Sequence, residues 1–124
     1  MITEDYVSFE IAKLLKEKGF NEGCRSRYGS AGSFSYEKYE IEASGCEMHN
    51  AILAPTLQMA MKWLREVHHI ALNIGWGEIL EDKFQWWCII LNQKDGSIFR
   101  ESEYSATYEE AVELAIKYCL EHLI

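Results

Sequence analysis

Two copies of one spacing, Cys46-x-x-His49 and Cys119-x-x-His122, set four metal-competent side chains in the chain. Thiolate and imidazole are the usual donors of tetrahedral zinc, so the four could together hold one ion. Packing competes as the explanation of Cys119, which sits inside a helical apolar pattern where cysteine serves as a small buried hydrophobe. Only Cys46 and His49 fall in a loop, and the stronger Cys-x-x-Cys pair is absent. His68 and His69 follow close on Glu66, an order in which a carboxylate could orient an imidazole for proton transfer. A histidine at the carboxyl end of a helix is equally what the helix dipole favours. Cys24 with His49, or Cys46 with His68, would make a nucleophile and base if the fold brought them within hydrogen-bond reach. Arg25, Arg27, Tyr28 and Tyr36 gather in and just after a glycine- and serine-rich stretch. Arginine among aromatic rings can grip a base or phosphate, and the same residues can cover a core edge by stacking.

The familiar enzyme signatures are missing. No Gly-x-Gly-x-x-Gly follows a strand, no Gly-Lys-Ser or Gly-Lys-Thr closes a phosphate loop, and neither His-Glu-x-x-His nor Gly-x-Ser-x-Gly occurs. No residue is therefore assigned a catalytic role and no cofactor is expected. What stands out instead is tryptophan: Trp63, Trp76, Trp86 and Trp87 in one small chain. Tryptophan is enriched at protein interfaces because it buries much area and keeps one polar handle. Adjacent Trp86 and Trp87, in a strand, must point to opposite faces. The interface candidates are Trp63, Trp86 and Trp87 with Arg25, Arg27, Tyr28 and Tyr36.

These residues need elements to hold them. Val7, Ile11, Leu14 and Leu15 recur at helical spacing, which predicts a helix over residues 3–19 with Thr3 as its cap. Gly19 can take the left-handed conformation that ends it, and Phe20 can fold back on the last turn. Residues 21–33 have glycine at 23, 29 and 32 and no sustained period, so they read as a loop. Tyr39, Ile41 and Ala43 alternate with glutamates, the pattern of one short strand. Pro55 and Thr56 open a second helix whose apolar face is Leu57, Ala60, Met61, Leu64 and Val67. Alternation from Ile70 to Trp76 predicts a strand directly after it, and residues 84–91 predict a second strand, apolar on both sides. Lys94-Asp95-Gly96-Ser97 is a hairpin signal, with a returning strand at 97–100. Thr107 and Glu110 fit a capping box for a last helix packed through Ala111, Val112, Leu114, Ala115, Ile116, Tyr118, Cys119 and Leu123.

At 124 residues the chain has the length of one domain, and its 48% hydrophobic content suffices for a core. The longest apolar run, residues 86–91, is far too short to span a membrane as a helix. The amino-terminal residues are acidic where a secretory signal would be basic and then apolar, so a cytoplasmic location is expected. In that compartment the four widely separated cysteines are expected as free thiols. The net charge of −8 opposes binding to a phosphate backbone, so no nucleic-acid partner is expected. Ten of the twenty acids fall in residues 78–124, an imbalance that could attract a basic partner or imitate DNA, and that keeps a small protein soluble in any case.

Ala54-Pro55-Thr56 followed by Lys62-Trp63-Leu64-Arg65-Glu66-Val67-His68 resembles a recurring pattern in short bacterial and bacteriophage proteins of unknown function. The resemblance continues at Tyr108-Glu109-Glu110-Ala111, Ala115-Ile116 and Leu123-Ile124, and covers the two later helices with the strands between them. It implies a mobile-element or phage type of protein and brings no functional residues with it. Together these observations predict one α+β domain over residues 1–124: a mainly antiparallel, three- to four-stranded sheet packed with three helices, in the order α-(β)-α-β-β-β-α. The function expected is non-enzymatic, through contacts with another protein or in a homodimer, with a small-molecule or zinc-binding domain as the alternative and an acidic DNA mimic as a third.

Overall fold

The computed structural model describes residues 2–42, 45–46 and 50–124, with backbone only at Lys38. Among these residues it is an α+β protein with three α-helices and two antiparallel sheets, packed as two compact units, residues 1–60 and 61–124.

In the first unit the amino-terminal helix α1 runs Phe9–Glu17, starting six residues later than its periodicity suggests. Ser8, not Thr3, is the cap, its hydroxyl accepting from the Ile11 amide. The reason lies far along the chain: Val7 N–H donates to the Pro55 carbonyl, Leu57 N–H donates to the Asp5 carbonyl, and Tyr6 bridges to Thr56. Residues 5–7 are thus held extended by pairing, which overrides their helical spacing. The helix ends as expected, with Gly19 at φ +92° and the Phe20 amide bonded back to the Leu15 carbonyl.

The stretch read as a loop contains a strand. β1 (Cys24–Tyr28) is the centre of a sheet, flanked by β2 (Phe34–Ile41) and the two-residue β3 (Ile52–Leu53). Its inward residues are Cys24 and Ser26, both buried, with Arg25 outside between them. Ser26 tolerates burial because its hydroxyl donates to the Ala54 carbonyl while its own carbonyl accepts from the Ala54 amide. β2 extends the strand expected around Tyr39 and Ile41; Ala43 lies outside the described residues.

Helix α2 (Leu57–His68) begins in the first unit and continues in the second. Thr56 caps it, its hydroxyl accepting from the Met59 amide. Leu57, Ala60, Met61, Trp63 and Leu64 are buried, whereas Val67, expected on the apolar face, is exposed. His69 turns the chain at φ 56° straight into the second sheet.

That sheet is the expected meander, β4 (Ile70–Leu80), β5 (Lys83–Asn92) and β6 (Ile98–Glu101), in order β4-β5-β6. The β5–β6 turn carries Gly96 at φ 77°, with the Asp95 carboxylate accepting from the Ser97 amide and hydroxyl. Helix α3 (Tyr108–Tyr118) starts where Thr107 accepts from the Glu110 amide and ends in a π-helical turn, Cys119–Leu123. It lies against β4 and β5, and Cys88, Ile90, Val112, Ile116, Cys119 and Leu120 are fully buried. Among the described residues no helix is long and apolar enough to cross a membrane.

Candidate protein-contact surface

Strand period two divides the aromatic residues of the second unit between two faces. Trp76 pairs with Trp86 across β4 and β5, and Ile74, Cys88, Leu72 and Ile90 continue that face beneath α3. The Trp86 ring meets Tyr108, the first residue of α3, edge to face at 5.4 Å. Beyond the end of α3 the same face carries on: Trp76 lies 6.2 Å from Trp86 and stacks on Phe84 at 5.0 Å with only 20° between the rings. There it is open, with Trp76 55% and Phe84 48% exposed. Two large rings stacked on each other at a β-hairpin, half in water, form a rigid apolar shelf. Its rim is acidic: Glu78, Glu81 and Asp82 on the hairpin and Glu109 and Glu110 in the first turn of α3 are all exposed, with Lys83 the hairpin's one base.

Trp87 takes the opposite face, as adjacency in a strand requires. Its indole lies flat across Gly75 and Gly77, and Tyr104 meets it edge to face at 6.0 Å. Trp63 behaves differently from the interface expectation. It is 5% exposed and packs edge-on against His68 at 4.6 Å, so it builds the interior and offers no surface. Trp76 and Phe84, both about half exposed, are absent from the sequence-based candidates. The available signal is their position near the turn of the β4–β5 hairpin.

Arg25, Arg27, Tyr28 and Tyr36 belong to the first unit, where β1 and β2 bring them together. The polar groups of Arg25, Arg27 and Tyr28 have partners within this unit. Arg27 pairs with the Glu37 carboxylate at 3.0 Å and its Nε donates to the Ser35 hydroxyl; Arg25 donates to the Glu37 carbonyl and lies over the Tyr36 ring at 4.9 Å. Tyr28 donates to the Val7 carbonyl at 2.7 Å and packs between Phe9 and Phe34. This cluster ties the hairpin to the chain's beginning, which accounts for the residues without a ligand.

Among the described residues Cys24 lies near Cys46 and Cys88 near Cys119, but cysteines and histidines do not converge on one site. Cys119 points into the interior, its thiol pushed up to about 12 by burial, while His122, three residues on, is exposed and leans on Tyr118 at 4.7 Å. Cys46 is buried, and His49 lies outside the described residues. Among the described residues no three of His, Cys, Asp and Glu come together as a metal would require. Burial likewise raises the thiols of Cys24, to about 11, and Cys88, to about 12, away from the thiolate that a nucleophile needs. Among the described residues no hydrogen bond joins Glu66 to His68, and the buried His68 Nε2 has no partner.

That orphan nitrogen makes a testable pH effect. Burial, then the neighbouring His69, lower the His68 pKa below its ordinary 6.5. The unfolded chain therefore takes up this proton first as the pH falls, and stability present above pH 6.5 is lost below it. The melting temperature is expected to fall between about pH 7 and about pH 5, and His68→Phe, which keeps a ring against Trp63, to flatten that fall. Equal slopes for the two proteins would remove His68 as the cause.

Among the described residues, a cavity of about 320 Å³ in the first unit is bordered by Arg27, Ser33, Phe34 and Ser35. Another of about 300 Å³ in the same unit is lined by Lys16, Phe20, Asn21, Cys46 and Ile52 among others. One of about 240 Å³ in the second lies between β6 and α3, where Arg100 sits 4.6 Å over the Tyr118 ring. No protein family, curated protein or solved structure matches the chain.

Proposed function

We propose that this is a non-enzymatic, protein-contacting module of a mobile-element or phage type, acting in the cytoplasm through the Trp76–Phe84–Trp86 shelf. The observation that carries this reading is the half-exposed stack of Trp76 on Phe84, on a sheet whose remaining face is fixed by α3. Rings held in place lose little entropy on binding, which is what makes tryptophan a frequent anchor of interfaces. The acidic rim supplies the partner's chemistry: arginine or lysine side chains, whose heads are attracted to the carboxylates and to the faces of the indoles.

The test is capture of partners from a lysate of the cells that make the protein, with the wild type and the Trp76→Ala/Phe84→Ala double variant side by side. Each truncation of an anchor ring costs about 2 kcal/mol of binding, so the double variant should retain a bound protein at least roughly tenfold less well. Because both rings are half exposed, its circular dichroism and melting should stay close to wild type. A partner carrying basic residues should also bind less tightly as salt is raised. Identical capture by both proteins would overturn the assignment of the shelf.

A further inference from the structure

The two sheets have four edges, and three of them are blunted in ways that prevent pairing with another chain. β2 carries Glu37, Lys38 and Glu40; β3 has two residues; β6 has four, with Arg100 and Glu101 among them and a bulge against β5. Short edges, charges and bulges are the devices that keep sheets from adding strands. β4 has none of them over most of its length. It is eleven residues long, contains no proline or lysine, and is uncharged from Ile70 to Gly77, its one irregularity coming at the far end, between Glu78 and Leu80.

Its hydrogen-bonding row can be identified. On β5, Trp86, Cys88 and Asn92 turn their backbone groups away from β4, toward Ser105, Ser102 and Ser97. Trp87, Ile89 and Leu91 therefore face β4 and bond to Gly75, Asn73 and Ala71, which leaves Leu72, Ile74, Trp76 and Glu78 with amides and carbonyls aimed outward. Among the described residues nothing bonds to that row. Of that row Trp76 and Glu78 are exposed and Leu72 and Ile74 half-buried, so water reaches the edge.

We propose that β4 pairs with β4 of a second copy, antiparallel about a two-fold axis, to make one continuous six-stranded sheet. A second copy is the occupant favoured by the strand itself. An outward row at every second residue maps onto itself under a two-fold, and in the register centred on Ile74 Leu72 meets Trp76 and Glu78 meets Ile70, so no acid faces its own copy. The pairing also brings the two aromatic shelves to the seam. This rests on the reading of the protein as a contact module and adds the identity of one partner.

Sedimentation of the wild type over a concentration series is expected to show a dimer, twice 14.4 kDa, that dissociates on dilution. Ile74→Pro removes an outward amide that bonds to nothing among the described residues, so it should leave a folded monomer at every concentration. Hydrogen exchange of the unaltered protein gives an answer independent of how that variant folds. The amides of Leu72, Ile74 and Trp76 should be protected in concentrated solution and exchange freely when dilute, while those of Asn73 and Gly75 stay protected in both. A wild type that sediments as a monomer throughout, or exchange at Leu72, Ile74 and Trp76 that ignores concentration, would overturn the self-pairing. The capture experiment stands apart: a monomer that still retains a partner through Trp76 and Phe84 loses only the second copy, whereas a dimer whose capture is unchanged by Trp76→Ala/Phe84→Ala loses only the shelf.

Discussion

Ile90→Ala is expected to cost about 3 kcal/mol of folding free energy, the range for deleting a buried branched side chain and leaving its cavity. Ile90 is fully buried, on the face of β5 that lies under α3, and pairs across the sheet with Leu72. On the α3 side Ala115 and Ile116 are buried, and truncation would widen the cavity of about 240 Å³ that Ile90 lines together with Ala115, Arg100 and Ser102. Set against a total of roughly 5–15 kcal/mol for a protein of ordinary stability, the loss is large. It should lower the melting temperature by on the order of 10 °C. Leu80→Ala is the matched control, since Leu80 is an exposed residue at the end of β4. It should change stability by less than about 0.5 kcal/mol. Urea unfolding of the two variants settles the matter: equal midpoints would mean that α3 does not pack on this face.

Gly75→Val should destabilise although valine is the better strand former. In isolation the exchange would favour the sheet by up to about 1 kcal/mol. A Cβ at residue 75, however, would stand 2.5–2.7 Å from three atoms of the Trp87 indole, which lies flat on the glycine. The ring must lift away, losing its contact with Gly75 and shifting against Tyr104. Overpacking of this kind costs roughly 1–3 kcal/mol, enough to reverse the sign. The conflict is confined to one ring, so a double-mutant cycle isolates it: in a Trp87→Ala background Gly75→Val should cost little or become favourable. A cost that persists without the indole would place the strain in the backbone instead.

Both results depend on sites that were only half legible in the chain. Helix ends were readable, because Gly19 with Phe20 and Thr107 with Glu110 act on backbone groups three to five residues away. The opposite facing of Trp86 and Trp87 was readable too, since period two is a property of the strand alone. β1 was not. Its inward positions are a cysteine and a serine, and serine becomes a core residue only when the Ala54 carbonyl, 28 residues on, is there to accept its proton. The start of α1 was hidden for the same reason, its first residues being held extended by Pro55 and Thr56. Gly75 read as a small residue in an alternating strand, and its purpose appears only with Trp87 laid across it.

The chain by itself determined the α+β class, the order of the helices and of the later strands, the stop of α1 and the caps of the two later helices, and which aromatic residues of the second sheet share a face. Tertiary structure decided which of those residues are surface: Trp63 is sealed inside, Trp76 and Phe84 stand open past the end of α3, and the loop arginines are spent on Glu37 and Tyr36. Local signals reach only a few residues along the chain, through rotamers, caps and repeating period. Exposure and partnership are set by what a residue meets after the chain has folded back on itself.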